Sequence, residues 1–574
     1  NKYQCLYSTI SGANEQEVAL AKELLKTCKS IEELISLISN GESFAEKIRI
    51  NSKELSIEPI NYIVWTDYFV CDSCGEEINY LKSSVNWDAA KFDKEFSCAG
   101  CGALIKKNKA KHKKTKFYDQ IIGKTIEQTK QSPYFINYSS KGKNIRKIAD
   151  EFDLYLVEKL SEFSMEQKIP SDELPVGFNT NQPRKSHGFS HVHHFYTTRN
   201  LIVIGKLWNK LPRELKWLAT SFISRNATKL NRFIINKHNP RGRINGPLAG
   251  TLYVPSEGVE QNIFGIISPR KLNLQSNLSG NIIQTCSITS DELSENSVDY
   301  VFVDPPFGGN IMYSEMNAIW ESWLNVKTSN KEEAITNEYQ KKGLPEYYSL
   351  MKQAFEKLSF GLKPGRWITV EFSNTQASVW NAIQTAIQKS GLIVGNVSAL
   401  NKKHAGQKAF AYPTPVKQDL VISAYKPTRQ LELSFSDTSE SFNAWIEFIE
   451  FHLKNLPISK LRGGILEFVA ERDPRIIYDR MVSFCLGKNI PVPISSGEFQ
   501  AIISAKYPDR DGMVFLPEQV AQYDKLAAKM ESVGQMVVFV EDEKSAIGWL
   551  RQFLRDKPCA TQDIQTDFMK QLSA

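Results

Sequence analysis

Residues 297–310 read SVDYVFVDPPFGGN. The β-branched and aromatic run from Val298 to Val303 predicts a buried strand. Two prolines cannot continue a strand ladder, so the run must stop in a stiff turn. Asp304 and Phe307 then sit at the rim. In open parallel α/β sheets, ligands bind just outside the carboxyl ends of the strands. The turn Asp304–Phe307 is therefore a candidate site and not a linker.

The surroundings alternate between strands and helices. NIIQTCSI, RWITVEF, LIVGNVSAL and DLVISAYK read as strands, and YYSLMKQAFEKLSFGL and SVWNAIQTAIQKSG as helices. That alternation predicts a mostly parallel sheet over residues 281–430, with the last two strands close enough to pair antiparallel. Residues 1–60 read as helical, and residues 61–132 carry two cysteine pairs and a lysine run. Residues 133–280 read as an α+β region: a hairpin at YFINYSSKGKNIRKI, a helix at FDLYLVEKLSEF, and a Thr-Thr cap before RNLIVIGKLW. A basic glycine-rich loop, NKHNPRGRINGPLAG, follows. Residues 431–574 read as mainly helical, with an apolar hairpin near GQMVVFVED.

The 574 residues suffice for about three or four domains of roughly 150 residues. No run approaches the roughly 18 apolar residues of a membrane span, and no secretory signal is present, so a cytoplasmic protein is expected. The net charge of +7 permits nucleic-acid binding without demanding it, so clustering of charge matters more. Nine cysteines, four of them in two CxxC pairs, point to a reducing compartment and a metal instead of a disulfide framework.

Cys71 and Cys74 lie in CDSCGEE, and Cys98 and Cys101 in CAGCGAL. Zinc favours four thiolates in a tetrahedron, and two such knuckles supply them; a glycine after each pair lets the chain turn around the sulfurs. The expected ion is structural Zn2+, because four thiolates close its coordination. Directly after the second knuckle comes IKKNKAKHKKTKF. Lys106, Lys107, Lys109, Lys113 and Lys114 in this run are candidate phosphate contacts, as are Lys237, Arg241 and Arg243 in the basic loop.

An exocyclic amino group on a nucleobase is a poor nucleophile because its lone pair is delocalised into the ring. A site that methylates it must hold the amino hydrogens so that the nitrogen faces a methyl donor. The Asp304 carboxylate and the Pro305 carbonyl are two suitable acceptors. Pro305 and Pro306 make the turn rigid in advance, and Phe307 offers a face on which an extruded base stacks.

This stretch resembles motif IV, (D/N/S)PP(Y/F/W), of amino-group DNA methyltransferases. The surrounding run NIIQTCSITSDELSENSVDYVFVDPPFGGNIMYSEMNAIWESWL is similar to a large bacterial subfamily of DNA methylases, several of them associated with phage defence. So are INYIVWTDYFVCDSCGEEI, HVHHFYTTRNLIVIGKLW, RWITVEFSN, VKQDLVISAYKP and PVPISSGEFQ…DGMVFLPEQVAQYD, which takes the likeness from about residue 59 to the end. The resemblance implies an α/β fold: a Rossmann-like methyltransferase sheet lacking its first strands, a zinc-ribbon insertion and a mainly helical C-terminal region. It implies S-adenosyl-L-methionine as cofactor, with Ser287, Asp304 and Glu371 as candidate contacts, and double-stranded DNA as partner. N6-methyladenine is the expected product, in a restriction-modification or phage-defence setting. A non-catalytic DNA-binding or specificity subunit and an RNA amino-methyltransferase are the alternatives.

The chain departs from that family in one respect. The FxGxG loop that cradles the cofactor is missing; GLKPGRW (361–367) precedes a strand and reads as a turn. In the resembled proteins the loop lies N-terminal to the zinc insertion, and this sequence opens at Asn1. A fragment, a separate chain carrying the cofactor-binding half, and loss of catalysis are the three expectations.

Other residues have two readings each. Glu371 and Asn374 follow a strand on the Asp304 rim, either as target or cofactor contacts or as caps of the next helix. Tyr313, Ser314 and Glu315 are placed to close over the pocket. His187, His191, His193 and His194 read as packed or capping residues, or as a polar pocket lining. A metal is disfavoured there because no acid or cysteine adjoins them. The segment 401–417 is a further lysine-rich candidate for DNA.

Overall fold

The computed structural model describes residues 2–165, 169–267, 284, 286–373, 376–401, 418–428, 441–462, 465–467, 469–487 and 494–532. The chain divides into two compact units, Asn1–Gln284 with Gly309–Gly343, and Thr285–Gly308 with Leu344–Ala574.

In the first unit, strand β1 (Ser8–Ser11) precedes three short helices, α1 (Glu15–Thr27), α2 (Ile31–Ser39) and α3 (Gly41–Ile48). Asn14, Ser30 and Asn40 cap them, each side chain accepting a backbone N–H of the first turn. The helices bury Leu25, Leu34, Ile38, Phe44 and Ile48 in the main core. Next comes β2 (Ser56–Val70), fifteen residues long. The segment boundary expected between residues 60 and 61 falls inside this strand.

β2 organises an antiparallel sheet of seven strands. It pairs with β1, β3 (Glu77–Asn79), β4 (Lys111–His112), β7 (Gln131–Ser140) and β11 (Val259–Gln261). β5 (Lys114–Asp119) and β6 (Lys124–Thr129) form a separate hairpin. β7 turns back into β8 (Lys143–Ile148), the hairpin read from the sequence, and α4 (Glu151–Glu162) follows. α5 (Phe178–His187) and α6 (Thr198–Lys210) come next, and Thr197 caps α6 as expected. The basic segment read as a loop is instead a hairpin of β9 (Arg232–Asn236) and β10 (Asn239–Asn245). Helix α7 (Tyr313–Leu324) completes this unit.

The second unit holds a four-stranded sheet in the order β12 (Val298–Val303), β13 (Leu362–Phe372), β15 (Gln418–Tyr425), β14 (Ile393–Asn401). β12 and β13 run parallel, with Val303 opposite Val370. β15 is antiparallel to both neighbours; the pairing with β14 is expected from their closeness in sequence, the pairing with β13 is not. The register jumps from Val298↔Leu362 to Tyr300↔Trp367, so GLKPGRW bulges from the start of β13. α8 (Leu344–Gly361) leads into β13, and α9 (Ala377–Lys389) links β13 to β14.

β12 is not fully buried, contrary to expectation. Among the described residues it is the terminal strand of its sheet, and Tyr300 and Phe302 on one face are 55% and 58% exposed. The described part of NIIQTCSI is a turn, in which Ser290 N–H donates to the Ser287 carbonyl at 3.0 Å. The rest of that segment, Asn374, residues 402–417 and the hairpin expected near GQMVVFVED lie outside the described residues.

Beyond the sheet the described residues are mainly helical: α10 (Ser441–Asn455), α11 (Pro474–Gly487), α12 (Ser496–Lys506) and α13 (Pro517–Ser532). Trp445, Phe448, Leu453, Ile477, Met481 and Phe499 form its core. Arg472 is buried there and donates to the carbonyls of Pro457, Val514, Leu453 and Leu456 and to Gln519 Oε1. Among the described residues, no helix is long and apolar enough to cross a membrane.

Candidate functional site

The Asp304–Phe307 turn begins one residue after β12 ends, at the carboxyl end of the parallel pair. The Val303↔Val370 pairing puts Asp304 level with Glu371 on β13, so two carboxylates share one rim. Asp304 is exposed and makes no side-chain hydrogen bond or ion pair among the described residues. Its acceptor capacity is uncommitted.

The turn behind the acid is anchored. Tyr347, fully buried on α8, donates its hydroxyl to the Pro306 carbonyl at 2.6 Å. Phe307 packs edge-to-face on buried Phe372 with ring centroids 5.2 Å apart, and Phe372 in turn lies 6.1 Å from Trp380. The peptides of the described chain are trans, so the rigidity comes from the fixed φ of two prolines and these anchors. Gly308 then leaves the turn at φ +66°, in the left-handed region.

Three further candidate residues lie on other elements. Ser287 is exposed in the turn before β12, and its Oγ lies 2.8 Å from Thr289 Oγ1. Ser314 and Glu315 are buried at the start of α7 in the first unit. The Glu315 carboxylate accepts the Asn179 backbone N–H at 2.6 Å, an internal role rather than that of a mobile lid.

The four cysteines come together. Cys71 Sγ is 3.7 Å from Cys101 Sγ, and Cys74 Sγ is 3.6 Å from Cys98 Sγ. Zn–S bonds of about 2.3 Å in a tetrahedron give sulfur–sulfur edges of about 3.8 Å, so the residues present fit Zn2+. The two knuckles repeat one backbone pattern. Cys71 N–H donates to the Glu76 carbonyl and Cys98 N–H to the Ala103 carbonyl. Gly75 and Gly102 close the turns at φ +78° and +72°, which a side chain would strain. Backbone N–H groups of Cys74 and Ser73 point at the Cys71 sulfur and pull its pKa down, while the crowded sulfurs of Cys101, Cys98 and Cys71 push that of Cys74 up.

The lysine run does not form one free basic face. Lys107 is paired with Glu257 at 3.0 Å and lies over the Tyr80 ring, Lys106 is paired with Glu95 and Lys113 with Glu77. Lys114 donates to Thr129 and to the Ser186 carbonyl. Lys109 and Lys116 carry no ion pair among the described residues. The β9–β10 hairpin is less committed: Lys237, Arg241 and Arg243 are exposed and make no ion pair among the described residues.

Sequence reading missed the partners of the histidines. His193 and His194 both direct Nε2 to Asp119 Oδ2 at 2.8 Å, and His187 and His112 both approach Asp67. Both acids lie far from their histidines in sequence and sit on strands beside the lysine run. Burial lowers the His194 pKa to about 4, so the ring is neutral. Its Nδ1 accepts the Ser190 and His191 backbone N–H groups, so the single proton is on Nε2 and is donated to Asp119. Asp119 stays ionised despite its burial because both imidazoles hydrogen-bond it.

No protein-family model matches the sequence, and no curated protein matches it significantly. Among solved structures, the chain is similar to two forms of a candidate DNA modification methylase from Thermus thermophilus. The selenomethionine form matches at 13% identity and a TM-score of 0.15, over 27% of this chain and 58% of that one. The form complexed with S-adenosyl-L-methionine matches at 12% identity and a TM-score of 0.14, over the same shares. The chain thus spans 58% of the length of the structures it matches.

Proposed function

We propose that this chain is the target-binding and catalytic portion of a DNA methyltransferase acting on exocyclic amino groups, adenine N6 foremost. The observation that carries the reading is the uncommitted Asp304 carboxylate, held at the end of a parallel strand by a turn that Tyr347 pins from behind. The order β12, β13, β15, β14, with β12 and β13 parallel and helices α8 and α9 between strands, supports the reading of a partial methyltransferase sheet.

In this reading the Asp304 carboxylate accepts one amino hydrogen of an extruded base and the Pro305 carbonyl accepts the other. The nitrogen lone pair is thereby turned out of conjugation and towards the methyl donor. Phe307 offers its ring to the base, with Phe372 behind it. None of these groups has to move during the reaction, which is the advantage of a preorganised site. S-adenosyl-L-methionine would supply the electrophilic methyl. The described rim offers it Glu371, which alone does not make a cradle. A second polypeptide segment laid beside β12, the terminal strand among the described residues, would supply the rest. The β9–β10 hairpin is the better of the two basic segments for gripping the duplex.

Modification-sensitive sequencing of DNA from cells with and without the gene tests the assignment. Asp304→Ala should abolish methylation while zinc content and circular dichroism stay unchanged; retained methylation removes the assignment. Calorimetric titration of residues 1–574 with S-adenosyl-L-methionine should give no micromolar binding, and such binding would refute the divided cradle. Gel shifts without any methyl transfer would favour a DNA-binding subunit, and preference for structured RNA over duplex DNA would favour an RNA enzyme.

A further inference from the structure

Asp67, His112 and His187 form a cluster that differs in kind from the Asp119 hub. Asp67 lies on β2, His112 on the adjoining β4, and His187 ends α5. His187 Nε2 is 3.1 Å and His112 Nδ1 is 3.3 Å from the same oxygen, Asp67 Oδ2. Ser186 donates its hydroxyl to the Gln182 carbonyl at 2.7 Å, and its oxygen lies 2.8 Å from His187 Nδ1, which turns Nε2 to the carboxylate. His112 Nδ1 is buried and has no hydrogen-bond partner among the described residues. The three atoms, each of a type that ligates metals, lie within 4.8 Å of one another.

We infer that Asp67, His112 and His187 bind a second metal ion, a divalent transition cation with one coordination position open to solvent. Metal bonds of about 2.0–2.2 Å to nitrogen and oxygen place neighbouring ligands about 3.0–3.5 Å apart, which brackets both separations. Outer hydrogen bonds are in place. Gln131 Nε2 donates to Asp67 Oδ1 at 2.8 Å and Ser186 steadies His187, the support that metal-bound histidines and carboxylates normally receive. His112 and His187 also line a cleft of about 590 Å³ together with Lys107, Tyr253 and Ser256. Two histidines and one carboxylate leave room for an exchangeable water or ligand on that side, unlike the closed cysteine site. The assignment does not depend on the methyltransferase reading.

Metal analysis of the full chain tests it. After dialysis against Zn2+ and removal of loosely bound ion, the chain should retain two equivalents. His112→Gln and Asp67→Asn should each retain one, while a Cys74→Ser, Cys101→Ser double variant should lose the other. Cobalt titration separates the sites by spectrum: thiolate-to-metal charge transfer marks the cysteine site, and visible bands without it mark the nitrogen and oxygen site. His112 lines the cleft, so His112→Gln should keep the wild-type circular dichroism and still lose those bands. One equivalent in the wild type, unchanged by His112→Gln, overturns the inference. So does a second equivalent that survives His112→Gln but disappears with Asp119→Asn.

Discussion

Tyr347→Phe isolates the anchoring of the turn from its chemistry. The change removes one oxygen from a fully buried ring and with it the 2.6 Å bond to the Pro306 carbonyl. A hydroxyl–carbonyl bond of this kind contributes about 0.5–1.5 kcal/mol net, so the second unit should lose roughly 1 kcal/mol against urea. The rate should suffer more than the stability. A displacement of about 1 Å in a positioning group can cost about 10²-fold, and Pro306 is two residues from Asp304. Methylation by Tyr347→Phe should therefore fall about 10- to 100-fold with DNA affinity nearly unchanged. The assay is single-turnover methyl transfer to duplex DNA, run beside urea denaturation. A rate within twofold of wild type, in a variant whose stability loss confirms that the bond is gone, would refute the anchoring argument.

Further tests concern stability and DNA binding. Arg472→Met withdraws all five of the hydrogen bonds that Arg472 donates, leaves four carbonyls to be satisfied otherwise, and should cost the second unit about 3–5 kcal/mol in urea unfolding. Burial, with the positive charges of Arg480 and Arg472, lowers the His452 pKa to about 3. The native state refuses a proton that the unfolded chain accepts near pH 6.5. Stability is then full above pH 6.5 and falls as pH drops towards 3, by about 2–3 kcal/mol at pH 4.5. His452→Gln should flatten that part of the pH–stability curve. Arg241→Ala and Arg243→Ala should each weaken duplex binding at low salt and reduce the slope of log K against log salt by about one. An unchanged slope would exclude the β9–β10 hairpin from phosphate contact.

The legible parts of this chain are those written locally. Val298–Val303 followed by two prolines states a strand and its end within nine residues of sequence, and each cysteine pair carries its own glycine. With no helix-like pattern between them, the neighbouring strands β14 and β15 pointed to an antiparallel return. What escaped notice depends on distant residues. Tyr347 reaches Pro306 across 41 positions, and His187 reaches Asp67 across 120. No periodicity flags either meeting. Glycine content misled at 236–250: Gly242 reads as loop, yet it lies under the Phe233 ring, where an added Cβ would come within 2.2 Å. There it permits close packing across a hairpin. The lysine run misled in another way, because Glu77, Glu95 and Glu257, which neutralise much of it, come from other strands and turns.

β2 has a consequence for how such a chain can change over generations. Five other strands take their alignment from its fifteen residues, Asp67 hangs from its side and Cys71 follows directly on Val70. Losing or gaining one residue inside Ser56–Val70 would exchange inward and outward side chains for every strand beyond the change. Insertions and deletions should therefore be tolerated at tips such as Lys141–Gly142 and purged from β2, making its length the steadiest dimension of the molecule.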